Sequence, residues 1–189
     1  GAPLFPRFYS LKNRLNFYGA RSLHYRVTAS TWNKSEQAIN MISIPSIFFG
    51  SRIDPGSISL KWYFTGSLIG ELQDLKRNGE LIQVGPAGST ESGSVAGVVM
   101  YDEGFILLTG SWDLNNTAIA ITSASTDTSK PSWLYYAAGA QDGVTKFSTS
   151  GGSNSSSYGN AAFGMSFKGE THTQVMTMFA HAKRGEVNY

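Results

Sequence analysis

The side chains able to hold a metal ion or to transfer a proton are few and scattered in this chain. Histidine occurs three times, as His24, His172 and His181. His172 and His181 are nine residues apart, which in an extended strand separates them by about 30 Å, too far for one metal ion. The chain has no cysteine, which excludes disulfides, thiolate zinc sites and cysteine nucleophiles. We therefore predict no metal site and no bound cofactor.

The carboxylates do not indicate catalysis either, although glycosidases use a pair of them as acid and base. Asp102 and Glu103 are adjacent, but Gly104 follows them, and this grouping is typical of a hairpin turn. Asp54 precedes Pro55-Gly56, which also indicates a turn. Nucleophile-elbow, phosphate-loop, dinucleotide-binding and metalloprotease motifs are all missing from the sequence. We therefore predict that the chain is not an enzyme.

A glycan contact is one binding chemistry that the aromatic residues suggest. Trp112 stands beside Asp113, where a sugar could stack on the ring, and Tyr158 lies in a Ser/Gly-rich loop. The alternative is structural: a turn or capping role for Asp113, and core or interface packing for Trp62 and Trp133. The remaining candidates for exposed rings are Trp32, Tyr63 and Trp133.

The elements that must position these residues are short strands. Residues 57–65 alternate between apolar and polar side chains, so that Trp62 and Phe64 should face inward. Low charge (15%), 21 glycines and 13% aromatic residues agree with β structure. We predict an all-β, antiparallel sandwich or jelly-roll-like fold, with strands near 42–49, 57–65, 67–75, 80–84, 95–101, 105–110, 117–122, 133–138, 161–167 and 174–180.

Two hairpins have recognisable turns. Asn78-Gly79 supplies the pair of positive φ angles that a type I′ turn requires. Asp102-Glu103-Gly104 separates two apolar runs in the same manner.

The first 38 residues differ from the rest of the chain. Residues 1–35 carry six basic and no acidic side chains, whereas residues 36–189 have a net charge of −4. We predict an arm over 1–38, attached to a β-sandwich domain over 39–189. Leu11, Leu15 and Tyr18 have helical spacing, so a short helix near 10–18 is an alternative to an extended arm. The arm would reach another subunit through charged and aromatic residues: Phe5, Arg7, Phe8, Tyr9, Arg14, Phe17 and Tyr18.

Two stretches carry a resemblance to known proteins. They are residues 39–51 (INMISIPSIFFGS) and 175–188 (VMTMFAHAKRGEVN), with the hairpin segments 78–82 and 101–105 between them. These segments resemble large virion structural proteins of tailed bacteriophages, T4-like marine phages in particular. The resemblance covers 39–189 and implies a particle component of the tail, baseplate or fibre region that belongs to a longer polypeptide. No catalytic motif comes with it.

The expected function is therefore structural, in a virion, through assembly with other virion proteins as a homo- or hetero-oligomer. One alternative is a glycan-binding β-sandwich module of a receptor-binding fibre. Another is a capsid decoration protein, which a basic arm would suit. A nucleic-acid partner is not expected, because the basic charges are spread over about 35 residues instead of clustering. A membrane partner is not expected either, since no apolar run approaches the roughly 18 residues of a membrane span.

Overall fold

Seven strands form one curled antiparallel sheet that contains most of the regular structure. A computed structural model describes residues 6–115, 130–137, 148–149, 152–153 and 161–179. The strands of the described residues are β1 (Asn40–Ser43), β2 (Arg52–Ile53), β3 (Ser59–Phe64), β4 (Ser67–Gln73), β5 (Glu80–Gly85), β6 (Val95–Met100), β7 (Phe105–Leu108), β8 (Ser148–Thr149), β9 (Gly152–Ser153), β10 (Ala161–Ser166) and β11 (Gly169–Glu170).

The strand order in the large sheet is β1-β7-β6-β5-β4-β3-β10, so β3 to β7 pair in sequence order and β1 and β10 form the two edges. Two small two-stranded sheets pair β2 with β11 and β8 with β9. The predicted all-β, antiparallel, sandwich-like fold is confirmed.

Six of the predicted strands match the structure in place and order: those near 57–65, 67–75, 80–84, 95–101, 105–110 and 161–167. Alternation in β3 buries Leu60 and Trp62, while Phe64 is half-buried and packs against the same core. Alternation of apolar and polar residues therefore predicts a strand correctly where one face of that strand is buried.

Three predicted strands are wrong in whole or in part. The first ends at Ser43, because Pro45 cannot donate to a ladder, and a 3-10 turn follows at Ser46–Phe48. Trp133–Tyr135 is another 3-10 turn. The Trp133 side chain packs in the core with Tyr135 against it, and the backbone does not pair with a strand. Residues 174–179 are exposed and form no strand. The strand predicted over 117–122 lies outside the described residues.

The connection between β4 and β5 is not the predicted type I′ turn. Positive φ angles occur at Arg77 (56°) and Gly79 (92°) and not at Asn78. The loop is shaped by the buried carboxylate of Asp74, which accepts hydrogen bonds from the backbone N–H groups of Gly56 (2.8 Å) and Gly79 (3.1 Å). A buried carboxylate with several donors fixes a loop more strongly than local turn preference does.

The N-terminal segment folds onto its own chain in place of the predicted extended arm. It forms the helix α1 (Pro6–Tyr18) and a 3-10 turn at Leu23–Tyr25. Leu15 and Tyr18 are three residues apart on one face of the helix, and both are buried in the core with Tyr25. The Tyr25 hydroxyl also donates to the carbonyl of Val99 in β6. The sheet of the same chain therefore supplies the surface that these rings need.

Aromatic side chains fill the concave side of the sheet. Trp62, Trp133, Tyr136 and Phe163 form a ring cluster with centroids 5.2–6.3 Å apart. Tyr136 contacts both edge strands of the sheet. Its carbonyl accepts a hydrogen bond from Asn40 Nδ2 in β1 (2.8 Å), and its hydroxyl donates to the carbonyl of Gly164 in β10 (2.6 Å). The cluster therefore holds the sheet in its curled form.

The buried carboxamide of Gln83 holds two tryptophan side chains in place. Gln83 Oε1 accepts from the indole N–H groups of Trp112 (2.7 Å) and Trp133 (2.9 Å). Gln83 Nε2 donates to Ser89 Oγ (3.0 Å) and to the Thr90 carbonyl (2.8 Å). All hydrogen-bonding positions of the carboxamide are therefore occupied.

Replacing Gln83 with Leu is expected to lower the free energy of unfolding by about 2–4 kcal/mol, because two indole N–H groups lose their acceptor. Urea denaturation followed by tryptophan fluorescence measures the change. Gln73→Leu is the matched control: Gln73 is half-buried and donates one bond to Glu71 (2.8 Å), so its loss should cost less than about 1 kcal/mol. Equal losses for the two variants would contradict the role of Gln83.

Candidate functional site

The turn between β6 and β7, residues 101–104, is a meeting point for three distant segments. Tyr18 at the end of α1 donates its hydroxyl to Glu103 Oε2 (2.8 Å). The ring of Phe49 lies against Gly104. The carboxylate of Asp74 accepts from the Tyr101 hydroxyl. The turn therefore brings together residues that lie far apart in the sequence.

Each of these contacting residues has an exposed apolar neighbour in the sequence. Phe17 is 65% exposed, Phe48 is 68% exposed and Leu75 is 60% exposed, and Ile47 beside Phe48 is 87% exposed. We call these four residues, Phe17, Ile47, Phe48 and Leu75, the apolar end. Large apolar side chains exposed together mark interaction sites, whereas isolated ones need no explanation.

The C-terminal part of the described chain departs close to the apolar end. Ser51 N–H donates to the Glu170 carbonyl (2.8 Å), and Ser51 Oγ accepts from His172 N–H (3.0 Å). Beyond this point residues 173–179 are exposed, and we call them the tail. Its apolar side chains are 82–92% exposed: Val175, Met176, Met178 and Phe179.

Three arginines near the apolar end are paired with carboxylates, while the guanidinium of Arg21 lies over the rings of Tyr18 (5.5 Å) and Tyr101 (5.4 Å). The pairs are Arg14–Glu103, Arg52–Glu170 (3.1 Å) and Arg77–Asp54 (3.5 Å). A paired charge is easier to remove from water than an isolated one. A surface of this kind suits burial against protein.

The structure places the predicted assembly-arm residues in different environments. Arg7, Phe8 and Tyr9 lie on α1, and Phe5 is outside the described residues. Tyr18 is in the core and is not available to another subunit. Phe17 remains exposed, with the guanidinium of Arg14 5.1 Å from its ring centroid.

The structure describes two of the three residues predicted to contact a glycan, Trp112 and Asp113. Trp112 is half-buried, and its indole N–H is bound to Gln83. Asp113 Oδ2 pairs with Lys130 Nζ at 3.0 Å. Tyr158 lies outside the described residues.

Metal-binding chemistry is not assembled in the part of the chain that the structure describes, where no group of three His, Asp or Glu side chains could hold an ion. His172 is exposed, with Nε2 3.7 Å from Glu170 Oε2, and His181 lies outside the described residues. Within the same ranges, no helix is long and apolar enough to cross a membrane.

A cleft that the sequence did not predict lies between the N-terminal segment and the strands β6 and β7. It contains about 250 Å³ and is lined by His24, Trp32, Lys34 and Gln37 from one side and by Thr109 and Ser111 from the other. The only sequence signals were Trp32, as a candidate exposed ring, and Lys34, as one of the basic residues of the predicted arm. Neither pattern indicates that a lysine is buried.

Lys34 is buried, with 5% of its surface exposed. Its Nζ donates to the carbonyls of His24 and Arg26, both at 2.7 Å, and lies 5.1 Å from the centroid of the Trp32 ring. Burial lowers the pKa of the Lys34 ammonium from 10.5 to about 8. Burial also lowers the pKa of His24, where Glu80 opposes the shift and Lys34 adds to it.

The shift of Lys34 predicts a pH-dependent stability. Below pH 8 the folded chain carries the buried charge at full cost, and between about pH 8 and 10 it releases a proton that the unfolded chain retains. The free energy of unfolding of the wild type, minus that of Lys34→Met, should therefore rise by about 1–2 kcal/mol between about pH 7.5 and 9.5. Urea denaturation across this range measures it, and tyrosines cancel because both proteins contain them. Parallel curves would contradict the prediction.

Comparisons with known proteins gave no match among family models, curated proteins or solved structures.

Proposed function

We propose that this chain is a structural component of a tailed-phage virion, in the tail, baseplate or fibre region, and that it acts through protein–protein assembly. The observation that carries the proposal is the apolar end: four large, exposed apolar side chains, three of them next in sequence to residues that contact the turn 101–104, with three arginines nearby that are paired with carboxylates. The resemblance of residues 39–51 and 175–188 to phage particle proteins supports the same function.

The free energies of burial and association indicate that the apolar end alone does not give stable assembly. Burying one Leu, Ile or Phe side chain contributes about 1.5–3 kcal/mol, so four give roughly 6–12 kcal/mol. Association costs about 4–15 kcal/mol in lost translational and rotational freedom. The two terms nearly balance, so stable assembly needs more apolar surface. The tail supplies it, with four side chains that are almost fully exposed.

A second copy of the chain is the partner that fits both surfaces. The tail begins beside Ser51, on the segment that carries Ile47 and Phe48. Two copies facing each other by this end can each bury the partner's tail against their own apolar end. Such a reciprocal contact is the isologous geometry of most homo-oligomers. Phe17 and Phe48 are the expected anchors, because aromatic side chains dominate interface energies.

The test is the double variant Ile47→Ser/Phe48→Ser, examined by sedimentation velocity over a range of concentrations. We expect the self-association constant to fall by at least about 100-fold, which corresponds to roughly 2.7 kcal/mol. Folding should persist, because both side chains are exposed. Met41→Ser is the control: Met41 is 51% exposed but lies on the edge strand β1 opposite Leu107, away from the turn. It should change association less than about twofold.

A second double variant, Val175→Ser/Met178→Ser, separates the tail from the apolar end. It should weaken association as much as the first, since both surfaces belong to one contact. A wild-type chain that stays monomeric at about 100 μM, far above the concentrations at which standard-size interfaces form, would contradict self-assembly. Mass spectrometry of purified phage particles tests the virion assignment separately, and absence of the chain from the particles would contradict that part.

A further inference from the structure

The cleft beside Lys34 has a charge that the described residues do not balance. None of the ion pairs among them includes Lys34, although the side chain is 95% buried. An ammonium group has three donors, and two of them are used by the carbonyls of His24 and Arg26. A buried cation without a counter-ion is costly. The Nζ atom also lies 5.1 Å from the centroid of the Trp32 ring. Because Lys34 lines the cleft, an anion bound there would supply the missing negative charge.

The rest of the lining indicates what else the anion carries. Thr109 and Ser111 contribute hydroxyls, and Gln37 contributes a carboxamide, so the wall offers both donors and acceptors. Trp32 adds an aromatic surface, with His24 stacked on it at 5.3 Å between centroids. A volume of about 250 Å³ is slightly below the roughly 300 Å³ at which pockets for drug-sized ligands begin. The ligand is therefore small, rich in hydroxyl groups and negatively charged.

We propose that this cleft binds an acidic monosaccharide unit, with its carboxylate on Lys34 and its hydroxyls on Gln37, Thr109 and Ser111. The inference goes beyond assembly and does not depend on it. Val95 and Thr109, which line the cleft, lie at the ends of β6 and β7 opposite to the turn 101–104, the turn that Tyr18 and Phe49 contact next to the apolar end. A virion component with both surfaces would assemble through one and contact a carbohydrate through the other.

The test is isothermal titration with N-acetylneuraminate, D-glucuronate, D-glucose and inorganic phosphate. We expect at least one of the two acidic sugars to bind about tenfold or more tightly than glucose, since an ion pair to a buried ammonium is lost in the neutral sugar. Both acidic sugars should compete for one site. Phosphate should bind more weakly than the better acidic sugar, because it leaves the hydroxyl and amide partners unused.

Two variants link the binding to the cleft. Gln37→Glu places a carboxylate in the lining and should weaken binding of the acidic sugar about tenfold or more, because it competes for Lys34 and repels the ligand. Ala38→Glu adds the same charge one residue away, at an exposed position outside the lining, and should change binding less than about twofold. Circular dichroism checks that both variants are folded, and Lys34→Met should abolish the preference for the acidic sugar over glucose.

Three outcomes would overturn the proposal. One is that neither acidic sugar binds more tightly than glucose. Another is that phosphate binds more tightly than both, which would make the cleft a simple anion site. The last is equal weakening by Gln37→Glu and Ala38→Glu, which would place the sugar elsewhere on the chain. Loss of self-association in the apolar-end variants has no bearing on these results, so the two proposals fail independently.

Discussion

A curled sheet must have its concave side filled, and in this chain the filling is aromatic. Trp133 and Tyr136 arrive there from a 3-10 turn between distant parts of the sequence, and Tyr136 bonds to both edge strands. Indole rings bring N–H groups that need acceptors in the interior, and the carboxamide of Gln83 accepts from two of them. The curl, the closeness of the two edges and the position of the loop after β7 all depend on this arrangement.

The N-terminal segment shows how a basic sequence is accommodated on a small core. Leu15, Tyr18 and Tyr25 provide the apolar contacts with the sheet, while Arg14, Arg21 and Arg26 are exposed. Lys34 is the exception, because its ammonium is buried beneath two carbonyls and beside Trp32. A buried ammonium group lowers the stability of the folded chain. A negatively charged ligand that binds it would recover part of that free energy, and this gain would stabilise the complex.

The two proposed surfaces differ in chemistry as well as in place. The apolar end offers rings and aliphatic side chains with neighbouring charges already paired, which favours a protein partner. The cleft offers a buried lysine that is in none of the ion pairs of the described residues, among hydroxyl and amide groups, which favours a small polar anion. Both lie near β6 and β7. Sequence neighbours of the apolar-end residues contact the turn that joins these strands, and the opposite ends of the strands line the cleft.

The sequence by itself determined the antiparallel β class, most strands of the large sheet and the inward position of Trp62, because alternation and turn residues are local signals. Its other predictions failed where the deciding contact is distant. The ring surface for residues 15–25 and the role of Trp133 depend on strands far along the chain, and Asp74 sets its loop through Gly56 and Tyr101. The apolar end and the cleft exist only in three dimensions, since no spacing in the sequence brings Tyr18 and Phe49, the neighbours of Phe17 and Phe48, to one turn, or indicates that Lys34 is buried.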